Sequence, residues 1–351
     1  MSNTLVTISP TKLYSVFELP IDLFVPGRIC LFGEHSDWCA SYTNEPGLAI
    51  TVCPELGIFG QVQRVANHKR LFIYLTVHET TTAISPLDPE YLKMRAKDKS
   101  NFFAYVDGAA SAFLTKYPWT SFDSVIISNY RTTLPIKKGV SSSASISVLV
   151  IRALSVTLFG KRLPPKEEAE LAYEGERLTG SLCGKLDQIS AIINPGEVAL
   201  LGFHPVGLEK NIEMRVEEII RVGSPVHLIL VNVKGKKDTI KILSSLQEVA
   251  ADENQLVRQL FGKMNNKTVL EAKRLLELGN QLTLLGNLAK VAQKNFDEIA
   301  APSCPSELTA PNLHLVLEDP EVKRLALGGK AKKNITEQNP ETKKKGQIPI
   351  L

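Results

Sequence analysis

The chain has 351 residues, 44% of them hydrophobic and 22% charged, with a formal net charge of +4, which fits one large or two medium globular domains with real cores. Lysines dispersed among acids speak against a nucleic-acid partner, and five cysteines without a Cys-x-x-Cys pair exclude a disulfide framework and point to a reducing compartment. The first residues carry neither a basic region nor an apolar block, and Arg152 interrupts the longest apolar run, so no secretion signal and no membrane span are expected, and a cytoplasmic location is.

In chain order the first third reads as strands. Ile21–Val25, Ile29–Phe32, Leu48–Val52, Gly57–Val65 and Leu71–Val77 are short apolar or alternating runs separated by Pro, Gly and Asn. Asn101–Tyr117 carries Phe102, Tyr105, Val106, Ala109, Ala110 and Phe113 at helical spacing, with Ser100 and Asn101 as capping residues. Ser124–Ser128 reads as a strand that delivers the chain to a serine-rich loop. The apolar run after that loop predicts a helix ending near Phe159, with Gly160 as its stop. Pro164 and Pro165 open a second helix over Lys166–Leu178. A new block begins near Gly196, with strands expected at Glu197–Phe203 and Val226–Val233, and the pattern from Asp238 to Ala300 is helical. The expected class is α+β, with a strand-rich N-terminal half and a C-terminal half combining a sheet with several helices.

Three segments carry groups suited to chemistry. Pro135–Ser145, reading PIKKGVSSSAS, places a glycine and three serines directly before the apolar helix. Small residues let backbone N–H groups crowd an anion, the helix start adds positive potential, and serine hydroxyls can bind phosphate or Mg²⁺. The same residues could equally form a simple Ser-rich helix cap. Val25–Trp38 gathers Arg28, Glu34, His35 and Asp37 around Gly33 at the end of a strand, where carboxylates and an imidazole can bind sugar hydroxyls or form a solvated turn. Glu174–Gln188 holds Glu176 and Asp187; one carboxylate could hold Mg²⁺ while the other receives a proton. Glu176 alone reads as a surface helical acid. Asp187 has apolar neighbours Leu186, Ile189, Ala191 and Ile192 and requires a cationic partner, Arg28 or Lys185. His35 has no second histidine at ligand spacing. His68, His78, His204, His227 and His314 are scattered and read as structural or surface residues, and Lys234, Lys236 and Lys237 as a solvated loop.

The order of these segments resembles the GHMP small-molecule kinases, and GEHSDW, GVSSSAS and CGKLDQIS are most similar to the galactokinase-like sugar-kinase branch. CPSEL at Cys304–Leu308 resembles the stretch before the family's third motif, so the resemblance spans about residues 20–329. It implies a two-domain fold: an N-terminal kinase domain at residues 1–195, an incomplete C-terminal α/β domain at 196–330 and a Lys-rich tail at 331–351. It further implies phosphorylation of a sugar hydroxyl by ATP and Mg²⁺, by a monomer or homodimer that binds no nucleic acid or membrane. Asp187 would take the substrate proton, and Arg28 would lower its pKa and neutralise transition-state charge. Glu34, His35 and Asp37 would bind the sugar. Pro135, Lys138, Gly139, Val140, Ser141, Ser142, Ser143 and Ala144 would hold ATP, with Ser143 or Ser142 and Glu176 on the metal. A catalytically impaired sugar- and nucleotide-binding protein, or a kinase for a non-sugar alcohol such as mevalonate, is the alternative.

Cys30, Trp38 and Lys185 depart from the galactokinase pattern, and Lys185 adds a second cation expected beside Asp187. The third motif begins in register as LALGGK at Leu325–Lys330 and continues as AKKNITEQNPETKKKGQIPIL, which lacks the family's further glycines. A truncated or frame-altered C-terminus is the expectation from that composition change.

Overall fold

The computed structural model describes residues 19–43, 45–66, 69–76, 81–120, 123–135, 139–207, 211–232, 238–252 and 254–329. Lys138, His68, His78, Lys234, Lys236, Lys237 and the expected tail at 331–351 lie outside the described residues. The chain divides into two compact units, Met1–Arg221 and Val222–Leu351.

The first unit contains two sheets. In one, β1 (Ile21–Pro26), β4 (Gly57–Val65), β7 (Ser124–Thr132), β5 (Leu71–Thr76) and β6 (Thr81–Pro86) lie side by side in that order. All pairings are antiparallel except β5 with β7. Alternation drives the sheet: Leu23 and Val25, Ile58 and Val62, Phe72 and Tyr74, and Val125 and Ile127 all face one core. Against that face lies the helix predicted after the serine loop (Ser142–Phe159), whose Val148, Leu149, Val150 and Ile151 are wholly buried. It ends at Gly160, which takes a left-handed φ of 69° as the expected stop. This helix has the length and composition to cross a membrane, but here it is the core helix of the unit, with 61% of it buried. Arg152, which interrupts its apolar run, is buried with Glu168: Nε and Nη2 donate to the two carboxylate oxygens at 2.9 and 2.8 Å. Arg162 adds a second cation to Glu168 at 2.7 Å.

The helices in chain order are α1 (Ser36–Thr43), α2 (Pro89–Lys97), α3 (Ala104–Lys116), α4 (Ser142–Phe159), α5 (Pro165–Leu178) and α6 (Leu186–Ser190). α1, α2 and β6 were not legible as elements in the sequence. α3 and α5 cross at a pair of glycines: a Cβ on Gly108 would sit 2.3 Å from the carbonyl oxygen of Gly175. The bare backbones therefore touch, which draws the end of α5 inward.

The second sheet has the order β2 (Ile29–Phe32), β3 (Gly47–Val52), β8 (Val198–Val206) and β9 (Asn211–Ile219), all antiparallel. Ala40 of α1 and Leu186 and Ile189 of α6 pack with Ala49, Leu201, Phe203 and Met214 of this sheet. Because β8 pairs along β3 from Gly47↔Phe203 to Val52↔Val198, the block expected to begin a new domain at residue 196 completes the first unit, which runs to Arg221.

The second unit is helical among its described residues: α7 (Thr239–Ala251), α8 (Gln255–Gln259), α9 (Asn265–Leu278), α10 (Leu282–Ile299), α11 (Pro305–Leu308), α12 (Pro311–Glu318) and α13 (Pro320–Leu325), with a π-turn at Leu260–Met264. Asp238 and Asn254 cap α7 and α8 by accepting backbone N–H groups. The strand expected at Val226–Val233 does not form among the described residues, which corrects the expected C-terminal sheet. Leu228, Ile229, Leu230 and Val231 are exposed there. A strand requires a neighbour for its backbone groups, and no described strand lies in this unit.

Candidate active site

The site assembles where β1 and β2, the start of α4, the end of α5 and α6 meet within the first unit. Arg28 sits between β1 and β2 and is almost fully buried, at 2% exposure. Its Nε donates to Asp187 Oδ1 at 2.8 Å, and Nη2 donates to the same oxygen. Nη1 donates to the carbonyl of Gly139 at 3.3 Å and lies 3.8 Å from Glu34 Oε1. Burial opposes the charge on Arg28, but Asp187, Glu34 and Cys30 outweigh it and raise its pKa above the ordinary value. The cation required by Asp187 is therefore Arg28. Lys185, the other candidate, donates to the carbonyl of Ile212 at 2.6 Å and lies over the Tyr173 ring, so it is not the partner of Asp187.

The serine loop is bound to the same arginine. The N–H of Arg28 donates to the carbonyl of Val140 at 3.3 Å, so both the backbone and the side chain of Arg28 hold the loop. Gly139 and Ser141 take left-handed φ values of 78° and 64°, which turns the chain sharply before α4. Ser141 Oγ is buried without a hydrogen-bond partner. Ser142 and Ser143 start α4 and are half-buried, Ala144 is buried beneath them, and Pro135 is exposed. Ser145 Oγ lies 2.9 Å from the carbonyl oxygens of both Pro26 and Ser141, fastening α4 to the end of β1. An orphaned hydroxyl beside glycine-released backbone at the start of an 18-residue helix fits a phosphate group.

The acidic segment after β2 is a turn at Glu34 and His35 that leads into α1, whose first turn carries Asp37. Ser36 opens α1 and its Oγ donates to the carbonyl of Gly33 at 2.7 Å. His35 takes a φ of 73°, and its Nδ1 accepts from Trp38 Nε1 at 3.1 Å, so the neutral ring carries its proton on Nε2. Asp37 is buried, and its Oδ2 accepts the N–H of Leu186 at 3.0 Å, which anchors the start of α6. A Cβ on Gly184 would lie 1.9 Å from that oxygen, so the chain passes Asp37 only as glycine.

Glu176 is 4% exposed, not a surface acid, because the Gly108–Gly175 crossing carries the end of α5 inward. Gln188 Nε2 donates to Glu176 Oε2 at 2.8 Å. Burial pushes the Tyr105 hydroxyl up to about 12, with the Glu176 charge adding to it. Burial also raises the Cys183 thiol well above its ordinary value, and Glu176 and Asp187 both add to that shift. The two carboxylates thus both bear on one thiol. No group of three or more His, Cys, Asp or Glu suited to a metal occurs among the described residues. The Glu176 carboxylate and the Ser142 and Ser143 hydroxyls are oxygen donors of the type that fits Mg²⁺, which is commonly bound through one or two carboxylates and substrate phosphates.

The structure brings Arg28, Glu34, Gly139 and Asp187 into one contact group and joins Asp37 to α6. Ser145 and Gln188 were not singled out in the sequence. Their only signals were adjacency to the serine cluster and to Asp187.

Residues 104–194 match the GHMP kinases N terminal domain. The chain is 24% identical over 303 residues to the galactokinase of Thermotoga maritima, covering 80% of this chain and 78% of that protein. Among solved structures, it is similar to the Methanococcus jannaschii mevalonate kinase (TM-score 0.61, 16% identity, 90% of this chain and 88% of that one). It is similar also to the Lactococcus lactis galactokinase complexed with galactose (TM-score 0.54, 19% identity, 80% of this chain and 76% of that one). The chain matches the GHMP kinase N-terminal domain over residues 104–194, shares the fold of galactokinase and mevalonate kinase, and is related in sequence to galactokinases.

Proposed function

We propose that this protein transfers the γ-phosphoryl group of ATP to a sugar hydroxyl. One observation carries the reading: the Arg28 side chain binds Asp187 and the carbonyl of Gly139 together, which ties a proton acceptor to a phosphate loop. When bound, ATP supplies the phosphoryl group and Mg²⁺ offsets its charge. Gly139–Ser143 hold the phosphates through backbone N–H groups and the orphaned Ser141 hydroxyl, and Glu176 with Ser143 or Ser142 holds the metal. Arg28 keeps Asp187 ionised and adds positive charge where the transferred group is most negative. Asp187 orients the substrate hydroxyl and accepts its proton.

Glu34, 3.8 Å from Arg28, and His35 supply polar atoms suited to hydroxyl groups, and Asp37 supports α6. This polar set favours a sugar over an apolar alcohol, because burying it against a hydrocarbon would leave its hydrogen bonds unmade. The relatives' galactokinase names support the sugar class; a cytoplasmic location accords with the five free cysteines. A second reading, a sugar- and nucleotide-binding protein without turnover, is favoured by the glycine-poor sequence that follows Gly329.

ATP consumption against a panel of hexoses, pentoses and uronic acids separates the two. Asp187→Asn is expected to lower turnover by about 10²–10⁴-fold while the thermal shift with ATP–Mg²⁺ persists. Turnover unchanged by that substitution would remove Asp187 from the mechanism. Ligand-induced stabilisation of the wild type without turnover would select the binding protein.

A further inference from the structure

Gln188 follows Asp187 on α6 and is fully buried. Its amide nitrogen donates to Glu176 Oε2 at 2.8 Å and lies 3.8 Å from Cys183 Sγ. The reversed amide would set oxygen against a carboxylate oxygen, acceptor against acceptor, so the chemistry of Glu176 fixes the orientation. That orientation leaves Gln188 Oε1 buried with no hydrogen-bond partner, a desolvation cost that an apolar side chain of similar volume would avoid. The amide is thus held in place by its bond to Glu176, at the expense of its own oxygen.

We propose that Gln188 is a positioning residue that fixes the Glu176 carboxylate for metal binding and references it to the helix that carries Asp187. The inference rests on the phosphoryl-transfer reading above. A glutamate at a helix end has several accessible rotamers, and a metal that must select one of them binds more weakly than a metal meeting a prearranged ligand. Hydrogen bonds from residues behind a metal ligand supply that arrangement in general. Here one amide provides it, and its neighbour in sequence is the proton acceptor. Glu176 and Asp187, eleven residues apart in sequence, are thereby set relative to one short stretch of backbone.

The test uses the full chain with Mn²⁺ as the probe and a non-hydrolysable ATP analogue, titrated by electron paramagnetic resonance. Gln188→Met removes the donor at nearly constant volume, and Gln188→Asn keeps the amide but withdraws it; the second serves if the first fails to fold. Both are expected to weaken Mn²⁺ binding by about ten-fold, with the sugar-induced thermal shift unchanged and activity recovering at high Mg²⁺. In a Glu176→Gln background, Gln188→Met is expected to weaken Mn²⁺ no further, because the two residues act through one ligand. Mn²⁺ affinity within about two-fold of wild type in both single variants, or a full further loss in the double variant, overturns the proposal. If the wild type itself binds no Mn²⁺–nucleotide, the phosphoryl-transfer reading fails and takes this inference with it. That outcome is distinct from equal binding by wild type and variants.

Discussion

Two stretches of similar apolar sequence meet opposite fates in the two units. Val148–Ile151 of α4 is buried completely between a five-stranded sheet and its neighbouring helices. Leu228–Val231, at the start of the second unit, is exposed, with Ile229 at 78%. Apolar content alone therefore does not build a core. Val148–Ile151 has a sheet face waiting for it, and Leu228–Val231 has no described strand in its unit to pair with. The candidate site lies wholly within the first unit, and the packing there holds its charged groups within hydrogen-bond distance.

The comparison can be tested at its strongest point first. Glu168→Ala removes the carboxylate between Arg152 and Arg162 and strands buried positive charge between α4 and α5. A loss of about 3–5 kcal/mol is expected in urea unfolding. A loss below about 1 kcal/mol would mean that this ion group is solvated and does not hold the first unit together.

Gly184→Ala probes the site more locally. Its Cβ collides with Asp37 Oδ2, so α6 must move away from α1, and a cost of about 1–3 kcal/mol is expected. Asp187 moves with α6, so turnover is expected to fall by more than the affinity for ATP–Mg²⁺. An unchanged turnover with normal stability would separate the Asp37 anchor from Asp187.

The smallest effect is expected in the second unit. Ile229→Lys replaces an exposed apolar residue and should change stability by no more than about 0.5 kcal/mol, with improved solubility at high concentration. A large destabilisation would show that Leu228–Val231 is covered in solution, and the contrast between the units would then weaken.

Several parts of this molecule were legible because they depend on neighbours in sequence. Gly160 stops α4 because a left-handed residue is needed there and glycine adopts it readily. Gly139 announced a turn before α4, and it takes a left-handed φ of 78° there. Asp187 announced its need for a cation, since a carboxylate among buried apolar residues requires one; the family resemblance named Arg28, and the coordinates set Lys185 aside by giving it other partners. α1 was illegible because Ser36–Thr43 has no clean apolar period; Trp38, Cys39 and Ala40 become buried only as the second sheet forms beside them.

The sequence by itself determined many of the elements and the chemical repertoire: strands of period two, an apolar helix behind a glycine–serine loop, and two carboxylates flanking glycines. Tertiary structure alone decided which of those groups meet. Glu176 became a buried acid because Gly108 and Gly175 let two helices touch. Asp37 became an anchor for α6, and Val226–Val233 formed no strand among its described residues. Each of those outcomes depends on a partner distant in sequence, and local spacing carries no record of where that partner lies.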